Sequence, residues 1–494
     1  MEKHILSKST FLRGLQCSKS LYLYRNSIQL RDKPSAEQSA LFNRGNNVGV
    51  MARKIFPGGV DATPARRSDN LAAVQRTRQL INEGAEIIYE AAFQHDQVLA
   101  ILDILVKREG LWFAYEVKSS IKISNTYLLD ASLQYWVISN SGLPLDDFSL
   151  VTLNSKYYRK GALEPDKLFS ISSVKSTAIK NQALVEEHIT SSKSVLSGIT
   201  IPEKAIGEHC FSPYGCDFMG TCWKQVPKNS VFEITGISKT EQFNLYHAGY
   251  RTIDEIPDEN NLDKNVNIHL KAVRSGEAFV NKKAITDFLG RVVYPVCFMD
   301  FETYMPAIPV YEGTKPYQHI PFQYSVHIIN SPGSEFMHKE FLAEQGTDPR
   351  EQFLSSLLKD TEGSGSILVY DALMEKNVLN GLKNDFPKFT QEIDQRLKRI
   401  VDLVQPFQER SFYHPSMKNS VSMKSILPAL VPDLNYHDLK ISSGSIAMIA
   451  FEQLQNETDM FKAMETRENL LAYCAMDTLA MVKMFEVLRK QVQH

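Results

Sequence analysis

The chain predicts an α/β protein of more than one domain, and three observations carry that expectation. Short apolar runs rich in β-branched and aromatic residues, such as EIIYEAAF (86–93), VLAILDILVKR (98–108) and SILVYD (366–371), have the length and composition of strands. They alternate with longer stretches of helical pattern, an order that lays helices against a mixed sheet. The 494 residues, 43% hydrophobic and 23% charged, exceed what a single core organises, so two to four domains are expected.

In chain order, STFLRGLQCSKSLYLYRN (9–26) opens as a helical pattern that Ser9 or Thr10 can cap, and LFNRGNNVGVMARKIF (41–56) gives a second helix. Strands at 86–93, 98–108 and LWFAYEVKSS (111–120) precede a helix in LLDASLQYWVISNS (128–141). These form a first domain, residues 1–225, whose later part is loop-like at SSKSVLSGITIPEK (191–204) and FSPYGCDFMG (211–220). In residues 226–290, ITGISKTEQFNLYHAGYRTIDEIPD (234–258) reads as helix, Gly-bearing turn, helix. That unit resembles a helix-hairpin-helix module, whose turn amides bind phosphate, and a plain helical linker fits it equally well. The third part, 291–494, opens with the buried-type strand VVYPVCFMDFE (292–302) and alternates strands such as SILVYD and IVDLV (400–404) with helices.

Composition excludes some classes. A net charge of -2 is unlike a histone-type binder, yet basic residues gathered on one face would still serve nucleic acid. No apolar run approaches the roughly 18–20 residues that span a bilayer, and the opening MEKHILSKSTFL lacks a signal core, so a cytoplasmic protein without membrane contact is expected. Six cysteines are too few for a disulfide scaffold of this length, but Cys210, Cys216 and Cys222 crowd into thirteen residues. No Gly-x4-Gly-Lys-Ser/Thr phosphate loop is present, which argues against a nucleotide hydrolase of that type.

The chemistry is written in acids. Asp300 and Glu302 end the apolar run VCFMDFE, where alternation turns both to one face. Glu375 starts a helix in VYDALMEKNVL, and Tyr473 and Asp477 lie four apart on a late helix, hence on one face. Clustered carboxylates repel and are costly to desolvate, so a protein that gathers them usually sets metal between them. Two ions about 3.5–4 Å apart clamp the attacking and leaving oxygens of a phosphodiester. Mg2+ or Mn2+ are the expected ions.

The order and local sequence of these acids resemble the DnaQ-like, or DEDD, exonucleases with their ribonuclease H-like fold, over roughly 200 residues. Asp300 and Glu302 match that family's first motif. In the second, VYDALMEK carries Asp371 where Asn is usual, Met374 for an aromatic and Glu375 for Asp. The resemblance gives Tyr473 the role of orienting the attacking water beside Asp477. Asp402 in IVDLV is either a further ligand or the cap of its strand. SFYHPSMKNSVSMKSILPALVP (411–432), with Lys418 and Lys424, is either one wall of a nucleic-acid groove or an ordinary loop and helix start.

A second constellation lies earlier. Asp103 ends an aliphatic strand, Glu116 and Lys118 share one face of the next, thirteen residues on, and Gln134 comes after them on a helix. This resembles the RecB-like PD-(D/E)XK nucleases, in which the acids hold a metal beside a lysine that positions water or neutralises developing charge. Relatives place a His or an acid on an early helix after glycine, where RGNNVGVMAR offers asparagines and Gly49. In the RecB-like nucleases that carry an iron-sulfur cluster, one early and three late cysteines hold four iron and four sulfur atoms. Cys17, Cys210, Cys216 and Cys222 match them, with zinc the alternative while His209 stands beside Cys210. Cys297 and Cys474 sit in apolar surroundings and are expected in the core.

Together the motifs resemble a bacterial family that fuses the two nuclease domains through a helical module. The implied activity is metal-dependent hydrolysis of DNA, 3′-to-5′ at Asp300, Glu302, Glu375 and Asp477. Alternatives are an RNA-trimming exonuclease and a nucleic-acid-binding adaptor with degenerate nuclease folds. The resemblance implies a role in DNA repair, recombination or defence, with a helicase or other defence or repair protein as a partner.

Overall fold

The computed structural model describes residues 4–34, 45–66, 68–234, 237–257, 263–418 and 420–493. The protein is mixed α/β, with several sheets, and divides into two compact units. Unit 1 comprises Met1–Gln225 and Pro306–Gln318; unit 2 comprises Val226–Met305 and His319–His494. Residues 226–290 thus group with unit 2 and the segment 306–318 with unit 1.

Unit 1 begins with β1 (Leu6–Ser7), α1 (Lys8–Gln16) and α2 (Ser18–Asn26). The cap of α1 is Ser7, ahead of the expected start, and its capping box closes with Thr10. Residues 45–52 are helical, with Asn46 and Asn47 exposed. The chain continues through β2 (Val60–Asp61), α3 (Asn70–Asn82), β3 (Ile87–His95), β4 (Val98–Arg108), β5 (Leu111–Lys118), α4 (Asn125–Asn140), β6 (Leu145–Leu153), β7 (Phe169–Ser173) and α5 (Gln182–Ser197). Among the described residues the strands form a seven-stranded sheet in the order β2-β3-β4-β5-β6-β7, with β1 parallel to β4.

Two-residue turns with positive φ, Asp96-Gln97 and Glu109-Gly110, fold β3, β4 and β5 back on one another in the manner that suits strand twist. Asp103 lies in the middle of β4 rather than at its end. One face of the sheet packs Ala114 and Trp112 with Phe11 of α1 and Leu133 and Val137 of α4. The other packs Tyr115 and Val151 with Phe56, Ala307 and Tyr317. Glu116 continues the first of these faces, so the alternation of β5 turns it toward α1 and α4.

Unit 2 contains α6 (Lys239–His247), α7 (Lys264–Ser275), β8 (Phe279–Val280), α8 (Lys282–Leu289), β9 (Val296–Tyr304), β10 (Ile320–Ile329), β11 (Phe336–Leu342), α9 (Arg350–Asp360), β12 (Ile367–Val369), α10 (Leu373–Asp385), α11 (Thr390–Arg399), β13 (Ile400–Asp402), β14 (Phe412–Tyr413), α12 (Met423–Leu430), α13 (Gly444–Leu454) and α14 (Met460–Lys490). Its main sheet runs β11-β10-β9-β12-β13, antiparallel through β9 and parallel beyond. The expected helix-turn-helix is only half realised. Ser238 and Glu241 box the start of α6 and Gly249 turns with φ +103, but the second helix is replaced by the single 3-10 turn Ile253–Glu255. Pro257 disfavours helical backbone at Ile256, which is extended at ψ 125. Residues 235, 236 and 258 of that motif lie outside the described residues.

Candidate metal centre

The side chains of β9 alternate between two cores. Cys297, Met299 and Phe301 pack with Phe353 and Leu354 of α9. Val296 and Phe298 face the other way, against Met481 and Phe485 of α14, with the rings of Phe298 and Phe485 5.5 Å apart. Along that second face the strand changes from apolar to acidic at Asp300 and Glu302. The helix changes in step, from Phe485 and Met481 to Asp477 and Tyr473, each about one turn further. Two elements that pack as a hydrophobic core at one end thus present carboxylates to each other at the other.

The outcome is a convergent set: carboxylate oxygens of Asp300, Glu302 and Asp477 lie within 4.8 Å of one another. Glu302 and Asp477 are buried and Asp300 is partly exposed. Burial, then the charges of Asp477, Glu302 and Glu375, hold Asp300 well above the usual carboxylate range. Glu302 is raised likewise, by burial and Asp477. Burial also lifts Asp477, only to about 6, because Tyr436, Lys424 and Tyr473 favour its ionised form. The Tyr436 hydroxyl donates to Asp477 Oδ1 at 2.6 Å, and Lys424 stands 5.7 Å from the Tyr436 ring and 5.6 Å from that of Tyr473. Cys474, an expected core residue, is buried but touches the site, its Sγ 3.9 Å from Asp300 Oδ2.

Glu375 is close enough to disfavour the charges of Asp300 and Glu302, yet it is outside the set converging within 4.8 Å. It is buried on the first turn of α10, its Oε2 has no hydrogen-bond partner among the described residues, and burial raises it to about 8. Asp402 resolves as a cap: its carboxylate accepts from the backbone N–H groups of Asp371 (3.1 Å), Ala372 (2.9 Å) and Val404 (3.0 Å). Those bonds fix the β12–α10 turn, where Asp371 takes φ +64.

In unit 1 the structure brings Asp103, Glu116, Lys118 and Gln134 together, and adds two residues that sequence reasoning missed. Glu116 Oε1 accepts from Lys118 Nζ at 2.7 Å and from Lys8 Nζ at 2.6 Å. Asp130 Oδ2 accepts from Lys118 at 2.5 Å, and Gln134 Nε2 donates to Asp130 Oδ1 at 3.2 Å. Asp103 Oδ2 takes the Val117 N–H at 2.6 Å. Burial would raise Glu116, but Lys118 and Lys8 outweigh it and hold the carboxyl near 2. Asp103, by contrast, is raised by burial and by Glu116 to about 8. An acid inside the apolar stretch LLDASL signals Asp130; nothing local signals Lys8, 108 residues from its partner.

Cys17, Cys210, Cys216 and Cys222 line one pocket in unit 1, with His209, Phe218 and Trp223. All four thiols are free, and burial pushes those of Cys216 and Cys222 up. The pocket is built by ties between α1 and the 208–222 segment: Gln16 Nε2 donates to the carbonyls of His209 and Tyr214, both at 2.7 Å, and Arg13 pairs with Asp217 at 2.5 Å. The sulfurs are not among the atoms converging within 4.8 Å. A tetrahedral zinc with 2.3 Å bonds requires sulfurs about 3.8 Å apart. Among the described residues, no helix is long and apolar enough to cross a membrane.

No curated protein matches the chain. Residues 297–422 match the model of a family described as a domain of unknown function, DUF2779. The matched segment runs from β9 to the residue before α12, so it carries Asp300, Glu302 and Glu375 and ends before Tyr436, Tyr473 and Asp477.

Proposed function

We propose that the chain is a metal-dependent nuclease that hydrolyses phosphodiester bonds of DNA, with unit 2 a DnaQ-like 3′-to-5′ exonuclease and unit 1 a PD-(D/E)XK-type domain. The observation that carries this reading is the convergence of Asp300, Glu302 and Asp477 within 4.8 Å, without an ammonium hydrogen-bonded to any of them among the described residues. Such a set stays ionised at neutral pH only when cations share it. Divalent ions held there, with Glu375 alongside, would supply an activated water and neutralise charge on the phosphoryl oxygens. Tyr473 orients the water, Tyr436 keeps Asp477 ionised and aimed, and Lys424 offers a positive charge to the phosphate backbone. Asp-x-Glu on β9, the first strand of its sheet, supports the family reading.

The four-cysteine pocket supports an iron-sulfur cluster more than zinc, because a cluster spaces its ligands more widely than a single ion does. Its role is to staple α1 to the 208–222 segment. In unit 1, the pairing of Glu116 with two lysines favours a site that holds a strand as well as one that cuts it.

The test is degradation of end-labelled single- and double-stranded DNA and RNA in Mg2+ and Mn2+, by the wild type, Asp300→Ala and Lys118→Ala. Stepwise shortening from the 3′ end, abolished by Asp300→Ala, is the expected result. Preference for RNA would change the substrate. Binding without cleavage of any substrate would overturn the enzyme reading in favour of an adaptor.

A further inference from the structure

Lys8 is in an unfavourable place for a lysine. It is the first residue of α1, where the helix dipole opposes a positive charge, and its side chain is 34% exposed while its ammonium lies against almost fully buried carboxylates. The compensation lies across the sheet: Nζ reaches Glu116 Oε1 at 2.6 Å and Asp130 Oδ2 at 3.7 Å. The backbone enforces the placement, since β1 pairs with β4 through Leu6↔Val98 and Ser7↔Leu99 and Ser7 then caps α1. Lys118 already pairs with the same two oxygens, so Lys8 is a second cation on one carboxylate set. Two ammoniums, those of Lys8 and Lys118, thus serve a cluster of three carboxyl groups, Asp103, Glu116 and Asp130. Beside them the buried Glu116 Oε2 has no hydrogen-bond partner among the described residues.

We propose that Lys8 is a tethered cation holding one of the cation positions of the unit 1 carboxylates, so that this unit takes one divalent ion fewer than its acids would hold without it. Like charges repel, so an ammonium and a divalent ion on the same carboxylate oxygens exclude each other. Glu116 Oε2 and Asp103 remain as open acceptors for other cations. The inference concerns cation stoichiometry and does not rest on the nuclease reading.

The test counts Mn2+ ions per full-length chain, by electron paramagnetic resonance of the unbound ion, in an Asp300→Asn/Glu302→Gln background that silences the unit 2 acids. Lys8→Met is expected to bind one more Mn2+ than its parent, Lys8→Arg the same number as the parent, and Lys8→Met/Glu116→Gln to lose the extra ion. Equal or lower stoichiometry in a folded Lys8→Met overturns the proposal. If Lys8→Met does not fold in chelator, recovery of native circular dichroism on adding Mn2+ supports it, and failure to recover overturns it.

Discussion

Replacing Asp477 by Asn offers a quantitative test of the idea that unit 2 gathers carboxylates it cannot by itself accommodate. In the fold this carboxyl is raised from 3.8 to about 6 by burial, after the favourable effects of Tyr436, Lys424 and Tyr473 have been counted. At about 1.4 kcal/mol per pH unit, the ionised form costs about 3 kcal/mol above pH 6. Asn mimics the neutral acid, with an oxygen that still accepts from Tyr436. An acid whose folded pKa exceeds its unfolded one contributes its stability below the unfolded value and loses it as pH climbs through the folded value. The wild type in chelator should therefore lose this contribution between about pH 4 and 6, and Asp477→Asn should not. At pH 7.5 the variant should be more stable by about 3 kcal/mol in urea unfolding. Hydrogen exchange of peptides covering 296–304 and 460–490 reads unit 2 separately. Mg2+ at about 1,000 times its Kd should reverse the order, since it adds about 4.1 kcal/mol to the wild type and little to the variant. A variant less stable in chelator, or one that gains as much from Mg2+, would refute the reasoning.

Three further outcomes are expected. Tyr436→Phe removes the hydrogen bond to Asp477 Oδ1 and should shift the midpoint of Mn2+ uptake to higher pH, as the acid becomes harder to ionise; a shift to lower pH would contradict its assigned role. Asp402→Ala strips an acceptor from three backbone amides and should cost about 2–3 kcal/mol in unfolding. Mn2+ stoichiometry should stay unchanged, and loss of an ion with stability intact would make Asp402 a ligand. Cys17→Ser should lower the iron content of anaerobically purified protein and the thermal midpoint of unit 1, while exchange in β9 and α14 stays as it was. Zinc at one equivalent and no iron in the wild type would replace the cluster with a metal ion on the same thiols.

The legibility of each feature tracks the range of the interactions that make it. The strands at 87–95, 98–108 and 111–118 were legible because period and composition are local properties. So was the pairing of Asp300 with Glu302 and of Tyr473 with Asp477, each fixed by the geometry of one element. Gly249 marked its turn, and Pro257 explains why the second helix after it did not form. The neighbourhood of four cysteines in one pocket also had a local trace in the crowding of three of them.

Other features depended on chain segments far apart in sequence. Strands β10 and β11 carry no clean alternation, because β10 is buried on both faces and β11 is exposed along most of its length, and only their pairing defines them. The cap made by Asp402 joins residues 30 and 31 apart; Tyr436 meets Asp477 from 41 residues away and Lys8 meets Glu116 from 108. The sequence by itself determined which elements carry acids and on which face, since backbone periodicity is intrinsic to each element. Tertiary structure alone decided which of those acids converge with no ammonium hydrogen-bonded to them among the described residues, at Asp300, Glu302 and Asp477, and which are answered by lysine, at Glu116 and Asp130, because charge compensation is settled by packing across the fold.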